Sequence, residues 1–350
     1  MNLLERTGLL LLGCGWAARL HARVLRKLPD VDLYFASRDR ARAEEYAARF
    51  GGRAAFGSYE DGLAHDGVHA ALVLTPTRGH KALALAALAH GKHVVVEKPP
   101  FLSVAELDEV ATAARAARCE VFVAENYVYK PIARFIRGAV ERGELGDVRF
   151  VSVNGTKRQD ARDWRAEPAL SGGGALFEAG VHWVSFLGAL GLEPVEAQGW
   201  RVGARAGADR SSLVVLRYAN GGMASLAHSW ELAAPFGGLR LSKMQGTEGA
   251  ITFESNGFAA LQTGQRTRAW APFGGDPLGY RAMHEDFLRA IRTGAPAAFP
   301  LALARRDLGL LEAAGRGVDA RTATDDGLRA MDQSPQETSS AGAGQLFSSL

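Results

Sequence analysis

Short apolar runs alternate with stretches rich in Ala, Leu, Arg and Glu through the first third of the chain. The apolar runs predict strands at 7–12, 31–36, 69–74, 93–96 and 120–124. The stretches between them predict helices at 13–28, 40–50 and 79–90, and Ser103 with Glu106 forms a capping box that opens another. Strands separated by helices in this way predict a doubly wound parallel sheet, the architecture of a dinucleotide-binding Rossmann domain.

After about residue 126 the pattern changes to short alternating segments joined by turns. These segments predict strands at 148–153, 197–202, 213–218, 223–230, 239–245 and 250–253. Helices are predicted at 175–190, 280–293 and 301–316. Strands that follow one another with few helices between them are typical of an antiparallel or mixed sheet, so we expect an α+β domain with an open-faced, mostly antiparallel sheet.

We therefore divide the 350 residues into a Rossmann domain at 1–124 and an α+β domain at 125–330. The last segment, 331–350, is rich in Ser, Gln, Gly and Thr and has little to bury, so we expect a disordered tail.

Composition narrows the classes of protein that remain. Hydrophobic residues make up 47% and charged residues 23%, which is ordinary globular usage. A formal net charge of +3 without a dense Lys/Arg stripe gives no case for a nucleic-acid partner. The apolar run at 9–12 is too short to span a membrane, or to lead a lipoprotein cleavage box at 11–14. Two cysteines suit a reducing compartment, so we expect a cytoplasmic protein without a membrane partner.

A glycine-rich turn follows the first predicted strand. Its residues Gly13, Gly15, Trp16, Ala17 and Ala18 fit the fingerprint G-x-G-x-x-G/A between a strand and a helix. Glycines allow a tight turn there and let backbone N–H groups meet a pyrophosphate at the helix N-terminus. The alternative is a tight turn that binds no ligand.

The end of the second strand bears on which cofactor is bound. An acidic residue at this point would bond the ribose 2′-hydroxyl of NAD, whereas the chain has Ser37 and Arg38. A guanidinium suits a phosphate, which favours NADP, with NAD possible. In the alternative interpretation Arg38 is solvated and Asp39 serves the ribose.

Polar residues also follow the next two strands on the side of the sheet where ligands bind. They are Thr75, Pro76, Thr77 and His80 after one strand and Glu97 and Lys98 after the other. We take all six as candidates for cofactor binding, although composition alone would make Lys98 a solvated surface lysine.

A glycine run at 171–174 precedes Glu178 and His182, whose spacing of four places both side chains on one helix face. The two residues are either a local structural pair or part of a reaction site. No set of Cys, His and carboxylate residues has zinc-like spacing, so no metal site is expected.

Three stretches together carry a family resemblance: 72–99, which ends in Val-Val-Val-Glu-Lys-Pro, then 143–148, and the glycine run through His182. With them the chain resembles the Gfo/Idh/MocA family, the relatives of glucose–fructose oxidoreductase and inositol 2-dehydrogenase, over most of 7–320. The resemblance implies a Rossmann domain and an open-faced sheet domain that holds substrate. It also implies a homodimer or homotetramer formed through the second-domain sheet.

The resemblance also implies roles for single residues. The family's catalytic lysine maps onto Lys98 and its catalytic histidine onto His182. Its usual aspartate falls on Glu178, and a further acidic position is Ser185 here. Glu178 keeps a carboxylate, but both departures put an inositol-type hydroxyl clamp in doubt.

Further substrate-binding candidates lie at the domain junction and before the glycine run. They are Asn126, Tyr127, Trp164 and Arg165. For these four residues, hydrogen bonding between the domains and packing are the alternatives to substrate contact.

The expected activity is hydride transfer between NADP and a hydroxyl or carbonyl of a sugar, cyclitol or similar polyol. His182 would exchange the hydroxyl proton, Lys98 would stabilise alkoxide charge, and Glu178 would orient its partners. Two alternatives stay open: a redox-neutral, NAD-dependent glycosidase on the same fold, and a non-catalytic NADP-binding sensor or scaffold.

Overall fold

A computed structural model describes residues 6–160, 167–203, 207–233, 238–272 and 274–319. Its first sheet has six parallel strands in the order β3-β2-β1-β4-β5-β6. The strands are β1 Thr7–Leu12, β2 Val31–Ala36, β3 Ala54–Phe56, β4 Ala70–Val73, β5 His93–Glu97 and β6 Val121–Ala124. The helices between them are α1 Trp16–Leu25, α2 Arg40–Phe50, α3 Tyr59–Ala64, α4 His80–Ala89 and α5 Val104–Ala117.

The strand order reverses between β1 and β4, whose carboxyl ends therefore border a crevice. β1 is buried along its whole length, which explains why it reads as an uninterrupted apolar run rather than an alternating one. The predicted Rossmann sheet is confirmed. β3 and α3 were not predicted, because a three-residue, half-buried strand leaves almost no pattern.

The capping box at α5 differs in detail from the prediction. Ser103 Oγ accepts a hydrogen bond from Glu106 N–H at 3.2 Å, but the Glu106 carboxylate accepts from Leu102 N–H at 3.0 Å. The first turn is thus capped by two hydrogen bonds made between Glu106 and the residues Leu102 and Ser103.

The second sheet has eight strands in the order β14-β13-β12-β11-β7-β10-β9-β8. The strands are β7 Val148–Thr156, β8 Pro194–Arg201, β9 Ser211–Tyr218, β10 Met223–Ser229, β11 Leu241–Gly246, β12 Gly249–Glu254, β13 Ala260–Gly264 and β14 Arg268–Trp270. Only the pair of β7 and β10 is parallel among these described strands. The prediction of a mostly antiparallel sheet is confirmed, although β13 and β14 were not predicted.

The remaining helices are α6 Pro131–Glu141, α7 Pro168–Ser171, α8 Val181–Gly188, α9 Tyr280–Thr293 and α10 Leu301–Asp319. Short 3₁₀ turns lie at Thr77–Gly79 and Asn126–Tyr129, and a π-helical turn, Leu176–Gly180, runs directly into α8. α8 and α10 cover one face of the second sheet. Its other face exposes large apolar side chains, including Phe150, Leu213, Met223, Leu241 and Leu261.

Two groups of predicted residues lie outside the described ranges: Trp164 with Arg165, and the segment 331–350. Within those ranges, no helix is long and apolar enough to cross a membrane. The same residues contain no group of three or more His, Cys, Asp or Glu side chains arranged to hold a metal ion.

Candidate active site

The turn between β1 and α1 is shaped to receive a ligand. Gly13 has φ +106°, and a Cβ there would lie 3.3 Å from the Leu74 carbonyl oxygen, so a side chain would be strained. At Gly15, no described atom beyond its own chain neighbours lies within 4 Å of where a Cβ would be. Gly15 is the N-cap of α1 and makes no side-chain hydrogen bond, so no N-cap side chain satisfies the first N–H groups, at Trp16, Ala17 and Ala18. A pyrophosphate fits this arrangement.

Ser37 and Arg38 follow β2 at the same edge of the sheet. Ser37 Oγ accepts a hydrogen bond from Asp39 N–H at 3.2 Å, and Asp39 in turn caps α2 by accepting from Arg42 N–H at 3.4 Å. The Asp39 carboxylate therefore serves the helix, while the Arg38 side chain is exposed.

Beyond β4, His80 holds two loops together. Its Nε2 lies 2.8 Å from the Thr75 carbonyl oxygen, and its Nδ1 lies 3.0 Å from the carbonyl oxygens of Pro99 and Pro100. Burial lowers the pKa of His80, although the carbonyls oppose this shift. His80 is thus a buried link between the segment after β4 and the segment after β5.

The segment that His80 holds carries two unpartnered hydroxyls. Pro76 opens the 3₁₀ turn at Thr77–Gly79. The hydroxyls of Thr75 and Thr77 are buried and have no hydrogen-bond partner in the described part of the chain. Unpaired buried hydroxyls beside the glycine turn are the groups that a bound nucleotide would satisfy.

Glu97 at the end of β5 is held by His21, which in turn contacts His284, and the sequence reasoning missed both histidines. Its Oε1 lies 2.9 Å from His21 Nε2, and His21 Nδ1 lies 3.0 Å from His284 Nε2. Its Oε2 accepts the Lys98 backbone N–H at 2.7 Å. Burial opposes ionisation of Glu97, but His21, and then the charges of Lys98 and His182, outweigh it and lower its pKa to about 2. Glu97 therefore fixes the backbone of Lys98 from within the protein.

Lys98 reaches across to the second domain. Its Nζ donates to the Glu178 backbone carbonyl at 2.7 Å and lies 3.4 Å from Glu178 Oε1. Both side chains are largely buried, with exposed fractions of 14% for Lys98 and 6% for Glu178. An ammonium has three N–H donors, and these contacts occupy two of them.

The π-helical turn that carries Glu178 is capped by Asp209. Asp209 accepts hydrogen bonds from Ala175 N–H at 2.8 Å through its backbone and from Leu176 N–H at 2.9 Å through its carboxylate. A Cβ at Gly174 would lie 2.0 Å from Asp209 Oδ1. Gly174 thus has to be glycine. The predicted helix at 175–190 is a π turn followed by a shorter α-helix, a break that functional sites often contain.

His182 opens α8 and faces two residues that follow β6. Its Nδ1 lies 2.7 Å from Glu125 Oε1, and its ring stacks on Tyr127 with centroids 4.3 Å apart. Burial raises the pKa of Tyr127 to about 12. Glu125 was not predicted as a site residue. Its position directly after a buried strand was the only signal for it in the sequence.

Buried basic side chains lie around this cluster. The Lys130 ammonium lies 3.5 Å from the centroid of the Tyr127 ring, and burial with the nearby charge of Arg240 lowers its pKa to about 7. On β10, burial and the charge of Lys157 lower the pKa of His228 to about 3. His228 is thus a neutral group whose surroundings include both Glu178 and His182.

Asn126, a predicted substrate-binding residue, and Ser185 both make contacts between elements. Asn126 Nδ2 donates to the Leu278 carbonyl at 2.7 Å, so its amide joins the start of the second domain to the approach to α9. Ser185, at the family's acidic position, hydrogen-bonds to Asp307 on α10. Burial raises the pKa of Asp307 to about 6, against the opposing charge of Arg306.

Comparison with known proteins accounts for both domains. Residues 8–125 match an oxidoreductase family with an NAD-binding Rossmann fold, and residues 133–252 match the Gfo/Idh/MocA C-terminal domain. ORF334 of Rhizobium meliloti, named an uncharacterized oxidoreductase, is 31% identical over 288 residues, which cover 75% of this chain and 81% of that protein. The chain belongs to the Gfo/Idh/MocA oxidoreductase family.

Within the Gfo/Idh/MocA family, trans-1,2-dihydrobenzene-1,2-diol dehydrogenase of Macaca fascicularis is 32% identical over 206 residues. That match covers 56% of this chain and 60% of the dehydrogenase, so the chain spans less than two thirds of that relative's length. The solved structure of GenD2 from gentamicin A biosynthesis, in complex with NAD, superposes with a TM-score of 0.78 at 27% identity. The superposition covers 91% of this chain and 95% of GenD2.

The family resemblance predicted from the sequence is therefore confirmed, and the first domain has the NAD-binding Rossmann fold of that family. The glycine turn, the open N-terminus of α1 and the unpaired hydroxyls of Thr75 and Thr77 fit that cofactor. Gly13, Gly15 and the first N–H groups of α1 would hold its pyrophosphate.

Proposed function

We propose that the protein transfers hydride between NADP and a hydroxyl or carbonyl carbon of a sugar, cyclitol or similar polyol. The observation that carries this proposal is the contact of Lys98 with Glu178, made beside His182 at the carboxyl edge of the Rossmann sheet. Three residues from two domains converge where a ligand of this fold lies.

The three side chains divide the work around the substrate oxygen. His182 takes the hydroxyl proton in oxidation and returns it in reduction, because an imidazole can carry a proton near neutral pH. Lys98 stabilises the developing alkoxide through the N–H that its two contacts with Glu178 leave over. Glu178 holds the ammonium and orients the substrate. The nicotinamide, when bound, supplies the hydride acceptor or donor.

NADP is favoured over NAD because of the groups that follow β2. Arg38 is exposed where a 2′-phosphate would lie, and Ser37 offers a hydroxyl beside it. The Asp39 carboxylate, which could serve an NAD ribose, caps α2 instead. The Asp39 carboxylate therefore does not compete with a phosphate for the Arg38 guanidinium.

The substrate proposal rests on hydroxyl chemistry. A relative of this chain is named for a 1,2-diol, which supports a substrate with neighbouring hydroxyls. Glu178 is one methylene longer than the family's aspartate, and Ser185 is engaged by Asp307, so the clamp on those hydroxyls differs from that for inositol. Tyr127, stacked on His182, would form one wall of the substrate site, to which we also assign Trp164 and Arg165.

We further propose that a second copy of the chain covers the open face of the second sheet. Exposed fractions reach 63% for Phe150 and 60% for Leu241, and such an apolar face is typical of an interface. The assembly would be a homodimer or a homotetramer.

We also propose that the boundary between the two domains lies between residues 124 and 125. We expect a cytoplasmic location because both cysteines, Cys14 and Cys119, are free thiols.

The test is a panel of sugars and cyclitols incubated with NADP⁺ and with NADPH, after the purified protein has been checked for retained nucleotide. We expect a substrate-dependent change in nicotinamide absorbance. Product formed without any net change in absorbance would indicate the redox-neutral glycosidase instead. Tight NADPH binding without turnover across the panel would indicate a sensor or scaffold.

A further inference from the structure

The surroundings of His182 contain a hydrogen bond that the proposed reaction does not explain. Glu125 Oε1 lies 2.7 Å from His182 Nδ1 and also accepts the Tyr127 backbone N–H at 3.0 Å. The side chain of Glu125 is 1% exposed, against 16% for His182. The carboxylate thus lies behind the imidazole, on the side away from solvent.

The second carboxylate oxygen of Glu125, Oε2, differs from Oε1 in its hydrogen bonding. Oε2 is buried and has no hydrogen-bond partner among the residues that the structure describes. An unpaired buried carboxylate oxygen is costly, and such a cost is unusual without a role at a site. Oε1 of Glu125 therefore holds His182, while Oε2 is buried without a hydrogen bond from the described residues to compensate for its burial.

Lys130 lies against the ring of Tyr127, on the face opposite the imidazole. The ammonium lies 3.5 Å from the ring centroid, and the imidazole of His182 stacks on the same ring at 4.3 Å with an angle of 13°. A nitrogen that close to the ring centre would overlap an imidazole stacked on the same face. The two groups therefore occupy opposite faces of Tyr127, so Lys130 lies away from the face on which His182 stacks.

The protonation of the imidazole follows from these contacts. An ionised carboxylate can only accept a hydrogen bond, so Nδ1 of His182 must carry a proton. In the neutral ring, Nε2 then holds the lone pair. Nε2 of His182 is therefore the nitrogen that can take a proton from a substrate hydroxyl, as in other carboxylate–histidine pairs.

We infer that Glu125 is a positioning residue for the reaction: it fixes the tautomer and the orientation of His182 so that Nε2 exchanges the substrate proton. This inference rests on the proposed role of His182 as the proton-exchanging group. Neither the family match nor the residues first predicted assign such a role to Glu125.

The direct test reads the tautomer by ¹⁵N NMR of the full-length protein labelled at histidine, at a pH where the ring is neutral. His182→Asn identifies the signal of His182. We expect Nδ1 of the wild-type ring to be protonated and Nε2 to be unprotonated. A wild-type ring protonated on Nε2 overturns the inference without any further variant.

Glu125→Gln then tests the consequence for the reaction. A glutamine amide can donate as well as accept, so the tautomer preference should weaken and turnover should fall by roughly 10²–10⁴-fold, with NADPH affinity little changed. Glu125→Asp keeps the carboxylate and should retain the wild-type tautomer. An unchanged tautomer and unchanged turnover in Glu125→Gln contradict the role.

The matched control is Glu254→Gln. Glu254 is also a buried carboxylate whose charge acts on Tyr127 and Lys130, but its hydrogen bonds go to Asn256. It should leave both the His182 tautomer and turnover as in the wild type. Full turnover in His182→Asn would overturn the proposed role of His182 as the base. An unchanged tautomer and unchanged turnover in Glu125→Gln, together with an inactive His182→Asn, would overturn only the positioning role of Glu125.

Discussion

The cofactor side and the catalytic side of the site are built in opposite ways. On the cofactor side, the glycine turn at 13–18 and the segment at 75–77 are short local structures that present unpaired N–H and hydroxyl groups. On the catalytic side, Lys98 and Glu178 are 80 positions apart in the chain, and His182 and Glu125 are 57 apart, yet each pair is already in contact. The groups of the cofactor side are positioned by neighbouring residues of the chain. The catalytic side is held by long-range pairs, so a single change there should disturb several groups.

Gly174→Ala is the change that should break the catalytic side most. The new Cβ would lie 2.0 Å from Asp209 Oδ1 and 2.5 Å from its carbonyl oxygen, so the cap on the π turn must move. Glu178 N–H bonds to the Gly174 carbonyl at 3.0 Å and would shift with it. Because a displacement of about 1 Å can lower a rate about 10²-fold, we expect turnover to fall at least that much.

The control for this change is Gly315→Ala on α10, where no described atom beyond its chain neighbours and the helix's own backbone lies within 4 Å of a new Cβ. Alanine favours a helix over glycine, so stability should stay level or rise by about 1 kcal/mol. Steady-state kinetics measure turnover in both variants, and thermal melts measure their stability. Wild-type turnover in Gly174→Ala would show that the Asp209 cap does not set the position of Glu178.

Arg38→Ala tests the cofactor side, where the effect should be confined to one ligand. Loss of a charge-assisted phosphate contact costs about 1.5–3 kcal/mol, so NADPH affinity should fall roughly tenfold to a hundredfold while NADH affinity changes little. Fluorescence titration with both nucleotides measures the difference. Arg53→Ala, which removes an exposed arginine paired with Asp32 at the other end of β2, should change neither affinity. Tighter binding of NADH than NADPH by the wild type would make the NADP assignment wrong.

Lys130→Met should have the smallest effect, and it should appear in stability. The pKa of Lys130 is lowered to about 7 in the folded protein, below its ordinary value of 10.5. Between those values the unfolded chain binds the proton and the folded protein does not, so this lysine makes stability rise with pH through that window. Near neutral pH the buried Lys130 lowers the free energy of unfolding, because burying a charge is costly. Replacing such a buried charge by an apolar side chain often raises stability.

Denaturant unfolding at several pH values measures this effect. Lys130→Met should raise the free energy of unfolding near pH 7 by on the order of 1 kcal/mol and should lack the wild-type increase toward pH 10. Parallel pH curves for the two proteins would show that Lys130 titrates in the folded protein as it does in water.

The same contrast between the two sides explains what the sequence could predict. The glycine turn, β1, β2 and α2 follow from neighbouring residues, and the structure has them where the local pattern places them. Lys98 and His182 were found through family motifs rather than through physical pattern alone. Glu125 and His21 were not found, because a lone polar residue at a strand end or on a helix has no local sign of a partner 57 or 76 positions away. The π turn was missed because the apolar spacing there is compatible with an ordinary helix.

The central claim is that Lys98 and His182 act on the substrate rather than on the cofactor. It is tested most directly by measuring turnover and NADPH affinity together in Lys98→Met and in His182→Asn. Met keeps most of the bulk of lysine without its charge, and Asn keeps a hydrogen-bonding group without one that titrates near neutral pH. Each variant should turn over roughly 10²–10⁴-fold more slowly while NADPH affinity changes much less. Wild-type turnover in both variants would contradict the account and place the chemistry elsewhere in the molecule.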